Sequence, residues 1–83
     1  MNTLLDSLVN SEADLGSAVS EVVKVLRGHR NLGSRWRRLS VASHLRHAVI
    51  HIAMHLLGNR REPHLAHAAT RALMALQLHR EGR

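Results

Sequence analysis

The chain has 83 residues, with twelve Lys and Arg against six Asp and Glu, eight His, one Trp and no Phe, Tyr or Cys. This length predicts one domain, residues 1–83, whose thin core of Leu, Val, Ile, Ala and Met favours self-association into a homo-oligomer. The composition excludes disulfides and thiolate metal sites, and the lack of a secretory signal and of any apolar run of roughly 18–20 residues predicts a cytoplasmic protein without a membrane partner.

The hydrophobic pattern predicts an all-α fold with three main helices, at about 12–27, 41–57 and 63–80. Residues 1–10 form either a short N-terminal helix or a flexible arm that orders on a partner. In the first main helix Ser11 is a candidate N-cap and Gly28 a stop signal. Its apolar stripe recurs at the 4-3-4 spacing of a helix face and consists of Leu15, Val19, Val22 and Leu26.

The second helix is predicted to begin after the N-cap Ser40 and to end near Gly58. Its main stripe consists of Val41, Leu45, Ala48, Val49, Ile52 and Leu56. Further apolar residues lie off this stripe, which is typical of a central helix or of one shared with another subunit.

The third helix is predicted to begin at Pro63, a residue favoured in the first turn. Its stripe consists of Leu65, Ala68, Ala69, Ala72, Leu73 and Leu76. The short connection makes the second and third helices antiparallel neighbours. We expect the helices to assemble as a helical-bundle oligomer.

Histidines form a second stripe on the middle helix. They are spaced 3, 4 and 4 residues apart, within a sector about 80° wide, and are His44, His47, His51 and His55. A ring pair one turn apart, with a third ring from the next helix, predicts a divalent metal site (Zn, Mn or Mg) at His51, His55 and His64. The alternatives are histidines at the edge of the core or in a pH-sensitive interface, because no Asp or Glu on this helix orients the rings.

Arginines crowd the connection between the first two helices. The predicted phosphate-binding set surrounds Trp36 and consists of Arg30, Arg35, Arg37, Arg38 and Arg46. Guanidinium groups beside an aromatic ring, ahead of a helix N-terminus, suit a nucleotide or nucleic acid. The alternative is a solvated basic loop with Trp36 in the core, and Arg richness also follows from a GC-rich genome.

Five short segments follow one another in the order of a known family. They read VVKVLRG (22–28), GSRWRR (33–38), LRH (45–47), LG (57–58) and PHLAHA (63–68). This order resembles a family of mostly phage-encoded helical domains known as the N-terminal domain of dATP/dGTP diphosphohydrolase. The resemblance implies a nucleotide-related ancestry and a phage protein in the host cytoplasm. It makes His64 and His67 the best-matched site residues, and Trp36, His47 and His67 the predicted pocket.

Two departures weigh against catalysis. RNLG (30–33) stands where the family has a Lys-Tyr-Gly element, and GNRRE (58–62) replaces an acidic stretch, leaving only Glu62. No helix carries the paired carboxylates that Mg²⁺ requires, and neither a phosphate loop nor a Ser–His–acid set is present. The sequence therefore leans against an enzyme, which would otherwise be a metal-dependent dNTP pyrophosphohydrolase.

Three functions follow from these observations. The first is binding of a nucleotide or phosphate by a relative of that family. The second is a nucleic-acid-binding module that uses the basic loop. The third is a small protein-interaction or inhibitor factor that acts as an oligomer, for example on a host protein.

Overall fold

The computed structural model describes residues 15–28 and 35–83 of the chain. Residues 1–10, the N-cap Ser11 and Arg30 lie outside this part, so the predictions made for them stay predictions. The described elements are α1 (Gly16–Gly28), a 3-10 helix (Arg35–Arg38), α2 (Val41–Leu56) and α3 (His64–Arg80). Residues 15–28 and 35–83 contain no strand, and the all-α prediction is confirmed.

Local signals set the ends of α2. Ser40 has extended backbone angles and its Oγ accepts a hydrogen bond from the Ser43 N–H at 3.0 Å, as an N-cap does. At the other end Gly58 has a φ of 85°, its N–H donates to the His55 carbonyl, and the Asn59 N–H donates to the Met54 carbonyl. These two bonds form a Schellman motif, which needs a residue that tolerates positive φ.

The start of α3 differs from the predicted boundary by one residue. The helix begins at His64 because Pro63, at the N-cap, has a ψ of 74°, which is not helical. Its end repeats the motif of α2. Gly82 has a φ of 83° and donates to the His79 carbonyl, while the Arg83 N–H donates to the Leu78 carbonyl.

The helices α2 and α3 form an antiparallel hairpin. His51 contacts His64 and His44 contacts Arg71, so earlier positions on α2 meet later positions on α3. Both α1 and the 3-10 helix also pack against α3, which is the central element of the described chain. The buried apolar residues are mostly small and consist of Val25, Ala48, Ala68, Met74, Ala75 and Leu78.

The predicted core stripes are largely wrong. On α2 only Ala48 of the stripe is buried, and on α3 only Ala68. On α1 Val25 is buried, whereas Leu15, Val19 and Leu26 of its stripe are exposed. On α2 the fully buried His44 faces α3, and the centre of the apolar stripe lies roughly 90° around the helix from that side.

Candidate functional site

A fully buried histidine connects three elements of the fold. The His44 Nε2–H donates to the Trp36 carbonyl at 2.8 Å, and its Nδ1 accepts from the Arg71 guanidinium at 3.1 Å. These opposite roles fix the neutral tautomer with its proton on Nε2. Burial lowers the pKa of Arg71. The network ties the 3-10 helix to α2 and α3, so we assign His44 a structural role.

Three more histidines meet at the next level of the hairpin, and we call His51, His64 and His67 the histidine seam. The Nδ1 atoms of His51 and His64 lie 2.9 Å apart, within hydrogen-bond distance. The rings of His51 and His67 stack with centroids 4.9 Å apart and planes 17° apart. The Glu62 carboxylate lies 3.9 Å from the His67 Nε2.

The surroundings of His51, the central ring of the seam, disfavour a positive charge on it. The pKa of His51 lies below its ordinary value, first because burial penalises the charged ring and then because His67 and His64 repel it. Arg71 acts in the same direction, and Glu62 opposes them. His51 is therefore neutral near pH 7.

The predicted metal set is only partly brought together. The structure joins His51 to His64, but within residues 15–28 and 35–83 no group of three His, Asp or Glu side chains is arranged to hold a metal ion. The Nδ1 atoms of His51 and His64 are directed at each other, 2.9 Å apart, so they do not converge with His55 on a common ion.

The predicted arginine set is dispersed. Arg35, Arg38 and Arg46 are exposed. Arg37 is engaged, because its Nη1 donates to the Glu81 carboxylate at 2.8 Å and its guanidinium lies 4.6 Å over the Trp36 ring.

Glu81 completes this contact at the end of α3. Hydrogen bonds from Gln77 and then from Arg37 lower the pKa of its carboxyl group. The Arg83 guanidinium also donates to the Arg37 carbonyl. Trp36 is half-buried beneath Arg37 and beside His44, which makes its ring a packing element rather than an open stacking platform.

The predicted pocket residues do not share a cavity in the described part of the chain. Trp36 borders a groove with Leu26 and Met74, whereas His67 borders another beside α1. His47 is exposed and its Nδ1–H donates to the Ser43 carbonyl of its own helix. His47 lies on the solvent side of α2, away from the histidine seam to which His67 belongs, so the two rings do not meet.

A different cavity, of about 410 Å³, lies between α1 and the hairpin turn. Its lining is mostly apolar and includes Val22, Pro63 and Ala69, with His55 and His64 among its polar residues. The Nε2 atom of His64 is buried and has no hydrogen-bond partner.

Sequence reasoning missed Arg71 and Glu81. Arg71 continues the 3-4 spacing of His64 and His67 along α3, and this spacing was the signal that could have found it. Glu81 lies 44 positions from Arg37, and no local pattern connects them.

No helix in the described part of the chain is both long and apolar enough to cross a membrane. No protein-family model, curated protein or solved structure matches the chain. The resemblance to the dATP/dGTP diphosphohydrolase N-terminal domain therefore stays a prediction.

Proposed function

We propose that this chain is a small protein-interaction factor that acts as a homodimer, joined through one apolar side of the α2–α3 hairpin. We call this side the hairpin face. It consists of Leu45, Val49, Ile52 and Leu56 on α2 with Leu65 and Leu76 on α3, each between 44 % and 79 % exposed. The observation that carries the proposal is that these large side chains lie outside the core while alanines lie inside it.

The described part of one copy has a small core. Within residues 15–28 and 35–83, half of the six buried apolar residues are alanines, and Leu78 is the only leucine among them. Small domains gain little from burial and depend on additional sources of stability, of which association is one. A second copy on the hairpin face would supply that burial from residues the chain already has.

The two helices contribute to the same side. Leu45 and Leu76 border one groove between α2 and α3, which places their stripes on a common face. Because His51 lies opposite His64, Leu65 lies near the level of Ile52, and Leu56 lies about one turn closer to the hairpin turn. A two-fold axis through the middle of this face would pack two hairpins into a four-helix bundle.

The size and charge of the hairpin face are compatible with a second copy of the chain as its partner. Full burial of one such side chain removes on the order of 100 Å², so six that are about half exposed offer roughly 300 Å² per copy. A patch of that order is comparable to the largest apolar patch on a typical monomer, which is often functional. The chain carries a net charge of +6, so two copies repel each other overall, but the six side chains that would meet are uncharged, with Arg46 bordering the same groove as Leu45 and Val49.

Sedimentation velocity of the full chain tests the proposal. We expect a species of twice the chain mass at high protein concentration, and a thermal midpoint that rises with concentration over roughly 1 to 100 µM, because association stabilises the folded state by mass action. A monomer throughout this range, with a midpoint independent of concentration, contradicts the proposal.

Binding of a phosphate-bearing anion is a second candidate, favoured by unpaired positive charge. Twelve Lys and Arg are present and Arg30 lies outside the described residues, which leaves eleven. Of these, only Lys24 and Arg37 contact a carboxylate in the described structure. Arg35 and Arg38 project from the same short helix, beside the engaged Arg37.

Replacing Arg35 and Arg38 together with Gln should weaken binding of a fluorescent single-stranded oligonucleotide by roughly tenfold and reduce its salt dependence, because fewer counterions are released. Fluorescence anisotropy at several salt concentrations measures both effects, and dATP and dGTP serve as competitors that distinguish nucleotide from nucleic acid. The matched control replaces the exposed Arg27 and Arg61. Equal losses in both variants, or affinity independent of salt, would reject a specific arginine site.

A further inference from the structure

The hydrogen bond between the two Nδ1 atoms of the histidine seam has a preferred direction. One nitrogen must carry the proton and the other must accept it. If His51 donated, the neutral His64 would carry its proton on Nε2, which is buried without a partner. A buried unpaired N–H is rarer and more costly than an unused acceptor. His64 therefore donates from Nδ1 to the Nδ1 of His51.

This arrangement disfavours another proton on His51 or on His64. A proton on the Nδ1 of His51 would oppose the donor of His64 at 2.9 Å. Moving the His64 proton to Nε2 would create a buried donor without an acceptor. A charge on both His51 and His67 would place two cations in stacked rings 4.9 Å apart.

The charged groups around the seam do little to stabilise an additional proton on it. From α3, Arg71 adds positive charge near His51, and from the turn Glu62 supplies a carboxylate 3.9 Å from His67. From α1, Glu21 and Lys24 border a groove with His67 but pair with each other at 3.1 Å. On α2 the neighbouring titratable residues are His44, His47 and His55.

We infer that the histidine seam is a proton-sensitive lock, which holds α2 against α3 near neutral pH and releases the hairpin in mild acid. The partner that acts on the seam is the proton itself, and the separated helices accept protons that the packed rings exclude. The lock goes beyond dimerisation, because it lies between the helices of one copy and not on the hairpin face.

The direction in which stability changes with pH follows from the pKa of His51. Its pKa is lowered from 6.5 in the folded chain, so the folded state binds fewer protons than the unfolded state below that pH. The stability contributed by the neutral ring is fully present above pH 6.5 and is lost as the pH falls through the window below it. Opening of the seam in the acid range should therefore be cooperative with unfolding of the hairpin.

Thermal unfolding of the full chain, followed by circular dichroism at one protein concentration, tests the lock. Between about pH 7.5 and about pH 5 we expect the midpoint to fall by roughly 4–8 °C. His51→Leu, which removes the central ring, should reduce this fall to less than half. The control His47→Gln, on the exposed side of the same helix, should retain the full fall.

A constant midpoint across this pH range overturns the inference, as does an equal fall in His51→Leu and His47→Gln. Repeating the profile in the face variant Val49→Glu separates the lock from dimerisation, because the fall should persist in a monomer. If His51→Leu does not fold, ring-nitrogen NMR of the unmodified chain decides the matter. At pH 7.5 the His64 proton should reside on Nδ1, and a proton on Nε2 would contradict the lock.

Discussion

Val49→Glu is expected to weaken self-association at least 100-fold and leave a folded monomer at micromolar concentration. Val49 is 63 % exposed in the described chain and lies on the hairpin face. In a two-fold dimer one substitution places two carboxylates in the same apolar interface. Burying an unpaired charge costs several kcal/mol, and about 1.4 kcal/mol corresponds to a tenfold change in affinity. Sedimentation velocity measures the change, and circular dichroism verifies that the helices remain.

Ile50→Glu is the matched control for this prediction. Ile50 adjoins Val49 on α2 and is similarly exposed, at 55 %, but lies about 100° around the helix from it. Its substitution should leave the dimer within about threefold of the original affinity, because a charge at an interface rim contributes little. If both variants dissociate equally, the interface does not lie on the hairpin face. If neither does, the hairpin face is not an interface.

His44→Leu is expected to reduce the free energy of unfolding by about 2–4 kcal/mol, because it leaves two partners without hydrogen bonds. The Trp36 carbonyl loses the Nε2–H donor and the Arg71 guanidinium loses its acceptor. Leucine has a similar volume, so a cavity is not the main cause of the loss. Urea unfolding at pH 7.5 measures the change, at a protein concentration held constant so that association does not contribute.

His47→Leu provides the comparison on the same helix. His47 is exposed and bonds only to the Ser43 carbonyl of its own helix, so its replacement should change stability by less than about 0.5 kcal/mol. Equal losses in the two variants would show that His44 contributes as an ordinary surface residue. A large loss for His44→Leu alone supports the network that joins the 3-10 helix to the hairpin.

The histidine stripe shows how far sequence reasoning reached into the candidate site. Spacing correctly placed His44 and His51 on one side of a helix, and the short turn correctly brought His51 next to His64. Spacing could not give the ring orientations, which direct the Nδ1 atoms of His51 and His64 at each other rather than at an ion shared with His55. The spacing also gave no reason to expect that His44 is buried and doubly hydrogen-bonded whereas His47 is exposed.

The helices follow from local signals in the chain, because their caps, glycine stops and 3.6-residue periodicity are local properties. Ser40, Gly58 and Gly82 act within a few residues of their own positions. Which side of each helix faces its neighbour depends on how the helices pack against one another. Periodicity fixes the angles between residues on one helix, but the hairpin turn and the packing of α1 fix how that helix is rotated against α3. On α2 that rotation buries His44 and leaves Val49 exposed.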